Sequence, residues 1–287
     1  MKPVLMLWSL SIQFVFGMEN QPSNLTKTGF ADVNGTRLYY EIAGKGQPVV
    51  LIHGFSLDTR MWDDQCEELA KTYQVIRYDL RGFGKSAMPV EGELYAHEED
   101  LKALLTYLHI EKPILVGLSL GGRIAINYTI TYQNVKALVL ADAVLDGHKW
   151  KDYSMTAVYE AAKTEGVKAG IEKWLDHPTF AQTQQNSQAF RRVSAIVSGY
   201  SGWHFLHKNP IKPVQAPAIE HLGEIKIPTL VLVGEKELAD FLEISETLYR
   251  SIAGAKKEVI LNVGHMSNME DASAFNYLLF SFLQHLK

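Results

Sequence analysis

Ser119 lies in the run Gly117-Leu118-Ser119-Leu120-Gly121, a G-x-S-x-G. An apolar stretch of strand type, Pro113 to Val116, precedes it, and a helix-like stretch, Leu120 to Thr131, follows. A turn that sharp strains the serine backbone, and side chains two positions away would clash; glycines at 117 and 121 remove the clash. The helix beginning there aims free N–H groups and its positive end at one spot, which suits a developing oxyanion. The chemistry indicated is attack by a serine hydroxyl on a carbonyl carbon, which requires a base to take the proton.

His265 is the candidate base. It directly follows Gly264, after the last predicted strand, so its imidazole is expected on a loop at the C-terminal edge of the sheet, where open α/β sheets bind ligands. An acid must fix the tautomer and stabilise the imidazolium. Glu237, in Val233-Gly234-Glu235-Lys236-Glu237, is the first candidate, with Asp240 second and Asp142, at the end of the preceding strand, third. The resulting chain order is Ser, acid, His. The turn His53-Gly54-Phe55 can aim the Phe55 N–H at the same carbonyl oxygen as the Leu120 N–H, with His53 read as part of the turn. Asp79-Leu80-Arg81-Gly82-Phe83-Gly84-Lys85-Ser86 reads as a tight, hydrogen-bonded structural loop. It lacks the strand–GxxxxGK[ST]–helix arrangement of a phosphate cradle. The histidines do not cluster at metal-ligand spacing, so no metal is expected.

These residues need a frame. Phe30 to Val33 and Arg37 to Ile42 flank Asn34-Gly35, a hairpin signal because both turn residues need positive φ. Pro48 to Ile52 is a continuous apolar run, as in a strand buried on both faces. Strand-like and helix-like stretches then alternate: strands at 73–78, 113–116, 135–140, 228–233 and 258–263, and helices at 62–72, 95–108, 120–131, 241–252 and 273–286. That rhythm predicts an α/β fold, a mostly parallel central sheet with an antiparallel N-terminal hairpin. Residues 144–226 break the rhythm. They carry helix-like segments, such as Met155 to Glu165 and Gly166 to Leu175, with Trp150, Trp174 and Trp203. They read as a helical cap over the mouth of the sheet, leaving 27–143 and 227–287 as the core.

Of 287 residues, 47% are hydrophobic and 21% charged, a globular composition long enough for one large domain with an insertion. The net charge is -4 and no block of five like charges occurs, so nothing indicates a nucleic-acid partner. The one cysteine, Cys66, can form no internal disulfide and reads as a structural residue. Lys2, the apolar run Val4 to Phe16 and Gly17 have the form of a signal peptide over 1–17. The run is too short for a comfortable membrane span. The expected location is secreted or periplasmic if the segment is such a signal, and cytoplasmic otherwise.

The chain resembles the α/β-hydrolase superfamily over nearly all of residues 27–287. The matching pieces are His53-Gly54-Phe55, Asp79 to Ser86, Gly117 to Gly122, Gly234 to Glu237 and Gly264-His265. The second and third look most like the serine esterase, enol-lactonase and perhydrolase-like branch. Members usually carry aspartate where this chain has Glu237, and branches with an aspartate nucleophile are disfavoured by Ser119. The resemblance implies helices on both faces of the sheet and a two-step acyl transfer. Ser119, His265 and Glu237 would carry it, Phe55 and Leu120 N–H groups would hold the oxyanion, and no cofactor would be needed. The implied partner is a small, fairly apolar ester or lactone. A C–C bond hydrolase, a perhydrolase, or a ligand receptor on the same fold with slow or vestigial hydrolysis are the alternatives.

Overall fold

A computed structural model describes residues 25–213 and 216–286; the expected signal segment lies outside them. Leu25–Val33 (β1) and Thr36–Ala43 (β2) form the hairpin, and Asn34 and Gly35 take φ of 48° and 68°, as a type I′ turn demands. Then come Pro48–Ile52 (β3), Asp63–Leu69 (α1), Gln74–Tyr78 (β4), His97–Tyr107 (α2), Ile114–Leu118 (β5), Leu120–Tyr132 (α3) and Ala137–Ala141 (β6). Five helices follow without a strand: Thr156–Glu165 (α4), Val167–Leu175 (α5), Ala181–Gln185 (α6), Ser187–Val197 (α7) and Trp203–Leu206 (α8). The chain closes with Thr229–Gly234 (β7), Ala239–Ser251 (α9), Lys256–Ile260 (β8), Ser267–Glu270 (α10) and Ala272–Leu283 (α11).

The eight strands form one sheet in the order β1-β2-β4-β3-β5-β6-β7-β8. β1 and β2 run antiparallel, β2 meets β4 antiparallel, and every later pairing is parallel. The parallel strands therefore present their C-terminal ends at one edge, and the loops after β3, β5, β7 and β8 share it. β5, β6 and β7 are buried at every position, which explains their unbroken apolar sequence. Among the described residues no helix is long and apolar enough to cross a membrane.

The last strand occupies 256–260 rather than 258–263. β8 is the edge strand of the sheet and is mostly exposed, with only Ile260 buried in the core. Val259 and Leu261 are exposed, and the apolar run there marks the end of the strand and the turn after it. The closing helix likewise starts and stops earlier than its apolar residues suggest, at 272 and 283.

The loop from Asp79 to Ser86 is held as tightly as its sequence suggests. Asp79 accepts the Thr59 and Lys85 N–H groups at 2.8 and 2.7 Å, and burial pushes its carboxyl up to about 7. A Cβ on Gly84, whose φ is 52°, would lie 2.2 Å from Asp79 Oδ2. Arg81 grips buried Asp100 with two bonds of 2.9 and 2.6 Å and donates to the Asn34 carbonyl at 2.7 Å. Arg81→Ala would leave the buried Asp100 carboxyl without its charged partner and with the Asn34 amide at 2.7 Å as its remaining side-chain donor, so a loss of about 3–5 kcal/mol is expected. The measurement is the urea midpoint at neutral pH; a shift worth under about 1 kcal/mol would contradict it. Cys66 is buried in α1, and burial raises its thiol to about 11, out of the reactive range.

Candidate active site

Ser119 joins β5 to α3 with φ 55° and ψ -116°, a backbone region costly for any residue with a Cβ. The neighbours explain how the bend is accommodated. A Cβ on Gly117 would lie 2.3 Å from the Gly121 carbonyl oxygen, and one on Gly121 would lie 2.0 Å from that of Ile52. Glycine at both positions is a steric requirement of packing α3 against the ends of β3 and β5. Leu120 is the first residue of α3, so its N–H belongs to the turn that has no partner within the helix. The turn after β3 comes up beside it, and a Cβ on Gly54 would lie 3.5 Å from Ser119 Cβ. Phe55 is thereby brought next to the serine.

His265 comes from the loop after β8 and Glu237 from the loop after β7. Glu237 Oε2 lies 2.5 Å from His265 Nδ1, with the side chains 1% and 7% exposed. The other carboxylate oxygen accepts the Leu238 N–H at 2.7 Å, which fixes the rotation of the group. Burial opposes the imidazolium, but the adjacent Glu237 carboxylate outweighs it, and the imidazole is held above its ordinary 6.5. The loop itself is anchored: Glu270 accepts the Gly264 N–H at 2.6 Å and the Thr183 hydroxyl at 2.6 Å. Thr183 belongs to α6, so the inserted helices help fix the imidazole.

The two other candidate acids are engaged elsewhere. Asp240 receives His148 Nε2 at 2.9 Å and the N–H groups of Lys151, Asp152 and Tyr153. Burial alone would raise its carboxyl, but these donors hold it down at about 2. It is a staple for the start of the inserted segment. Asp142 accepts the Gly234 N–H at 2.9 Å and the Ser267 hydroxyl at 2.5 Å. Burial and the nearby Glu237 charge push it well above the usual carboxylate range. It ties the ends of β6 and β7 to α10. His53 is fully buried, with Nδ1 2.8 Å from the Gly54 carbonyl and Nε2 accepting the Leu80 N–H at 2.9 Å. Both nitrogens are spent on backbone, and burial lowers the ring to about 4.

Ser119 and His265 line one enclosed cavity of about 20 Å³. Three of its walls come from the inserted segment: Tyr153, Trp174 and Phe180. The sequence puts Trp174 in that segment but gives it no role, since nothing in its spacing tells which ring faces the serine. Its indole N–H donates to the Ser56 hydroxyl at 2.6 Å, and Ser56 carries φ 61° one residue after Phe55. The strained turn beside Ser119 is therefore latched to α5. The largest cavity described, about 580 Å³, lies away from Ser119 between α7 and the loops after β3 and β4. Its walls bear paired charges, including Arg60 with Asp58 and Arg77 with Glu41.

A family profile described as alpha/beta hydrolase fold matches residues 47–272. An AB hydrolase superfamily protein of Bacillus subtilis, YisY, is 28% identical over 257 residues, covering 85% of this chain and 94% of that protein. A 2-hydroxy-6-oxo-6-phenylhexa-2,4-dienoate hydrolase of Comamonas testosteroni is 26% identical over 93% of this chain and 98% of its own length. Among solved structures, the enol-lactonase of Burkholderia xenovorans LB400 superposes with a TM-score of 0.75 at 26% identity, covering 90% of this chain and 100% of that one.

Proposed function

The chain belongs to the α/β-hydrolase fold family, and from that premise we propose that it is a serine hydrolase of small, fairly apolar carboxylic esters or lactones. The observation that carries this reading is the buried Glu237–His265 hydrogen bond at the wall of the cavity that Ser119 lines. Glu237 accepts from Nδ1–H, which leaves Nε2 as the free lone pair for the serine proton. Ser119 attacks the carbonyl carbon while His265 takes that proton. The N–H groups of Phe55 and Leu120 hold the oxyanion, a contribution of about 2.7–4 kcal/mol per donor in well-studied cases. The imidazolium then protonates the leaving alcohol, and water resolves the acyl-enzyme by the same route. The inserted segment acts as a cap, excluding water through Tyr153, Trp174 and Phe180.

A burst of p-nitrophenol from p-nitrophenyl acetate tests the two-step scheme. The pH profile tests the base. His265 works only when neutral, and its pKa lies above its ordinary 6.5. kcat/KM should therefore rise with pH and reach half its plateau above 6.5. A profile flat between about pH 5 and 9 would count against His265 as base.

The Comamonas relative favours a second reading, a C–C bond hydrolase using the same three residues. The lining of the small cavity weighs against a carboxylate-bearing substrate there, since no arginine or lysine is part of it. An ester panel alongside a dienoate ketone separates the two.

A further inference from the structure

The space beside Ser119, about 20 Å³, holds little more than one water, which needs about 10–15 Å³. An ester with two arms does not fit there. A second cavity, about 350 Å³ and open to solvent, is lined from α4 and α8 by Tyr159, His204, Phe205 and Leu206, with His207 and Asn209 beyond them. Cavities of about 150 Å³ accommodate a benzene ring, so this one has ample room for an aromatic group. Phe55 lines both cavities and is the one residue they share. Its ring stands edge-on to Trp174 at 5.9 Å, on the inner side, and meets His204 at 5.8 Å and Phe205 at 6.1 Å on the outer side. A single aromatic side chain, on the turn after β3, thus stands between a small chamber and a large one.

We propose that the outer cavity is a subsite for the larger arm of the ester, a flat apolar group of aryl size, and that the inner chamber admits only a small arm. The walls suit that occupant. Tyr159 is 42% and Leu206 49% exposed, so both leave apolar surface open at the cavity mouth. The imidazole of His204 is stacked on Phe83 at 4.5 Å, keeps Nδ1 on the Tyr200 hydroxyl at 2.7 Å and leaves Nε2 without a partner. Burial lowers this ring to about 4, so near neutral pH it presents an uncharged face. The open face is given a definite occupant by the wall it shares with the catalytic chamber, the Phe55 ring. This inference rests on the esterase reading of Ser119.

Leu206→Trp fills the outer cavity from an exposed position and touches none of the proposed machinery. Phenyl acetate and ethyl acetate differ in one arm only, so their ratio reads the subsite. The variant should lower kcat/KM for phenyl acetate by about tenfold or more, with ethyl acetate within about twofold, as expected for the loss of one apolar pocket. A binding measurement on Ser119→Ala protein by calorimetry provides a readout that needs no turnover. Leu206→Trp in that background should weaken phenyl acetate binding by about the same factor. Equal loss on both substrates, or unchanged phenyl acetate binding, overturns the subsite. Phenyl acetate that binds in a Leu206-dependent way but is never hydrolysed by the parent protein upholds the subsite and sinks the esterase reading instead.

Discussion

Ser119→Ala is expected to lower kcat for p-nitrophenyl acetate by about 10⁶-fold, to the level left by binding and oxyanion stabilisation alone. The size of the effect follows from the division of labour. Removing the hydroxyl removes the covalent route altogether, so a partial loss has no place in the scheme. The substitution deletes one oxygen from a residue 8% exposed. Its backbone strain belongs to the turn and persists with alanine, so folding should be retained. A circular dichroism spectrum and melting temperature equal to the parent's accompany the rate measurement. A variant that keeps more than about a hundredth of the parental kcat would require a different nucleophile.

Glu237→Gln is expected to produce the second large effect, a loss of about 10⁴-fold in kcat near pH 7. The reason is visible in the hydrogen bonds of the carboxylate. One oxygen accepts the Leu238 N–H at 2.7 Å and the other faces His265 Nδ1 at 2.5 Å. An amide must keep its oxygen on the backbone donor, so its NH₂ turns to Nδ1. That forces the proton onto Nε2, and the imidazole can no longer accept from Ser119. The carboxylate charge that raises the imidazole is lost as well, so the midpoint of the pH profile moves down. Glu237→Asp keeps the charge and the acceptors on a shorter arm and should lose less than the glutamine variant. An order of severity with Asp worse than Gln would show that reach, rather than tautomer, governs the site.

The parts of this site that the sequence makes legible are those with a local steric or periodic cause. The serine turn announces itself because two glycines are required within five residues. The hairpin does so because Asn34 and Gly35 both need positive φ. The parallel strands stand out because burial on both faces leaves them apolar throughout. Glu237 is readable as a carboxyl after the right strand, but Asp240 and Asp142 satisfy the same description. What separates the three is which groups each one meets through tertiary contact: Glu237 meets His265, 28 residues on, Asp240 takes backbone N–H groups 87 to 89 residues back, and Asp142 takes the Ser267 hydroxyl, 125 residues on. The cap is legible as helices and illegible as a pocket. Trp174 reaches Ser56 across 118 residues, and no spacing rule in a short helix says which ring turns inward. β8 is misplaced by two or three residues for the opposite reason: of its apolar residues Ile260 is buried but Val259 is exposed, so an apolar run does not mark its ends.

The most direct test of the central claim is to treat the folded protein with a fluorophosphonate and map the adduct by peptide mass spectrometry. The account predicts one adduct, on Ser119, abolished by prior heat denaturation and strongly slowed in His265→Ala. Esterase activity that persists with Ser119 unlabelled, or an adduct on another serine tracking the loss of activity, would contradict it.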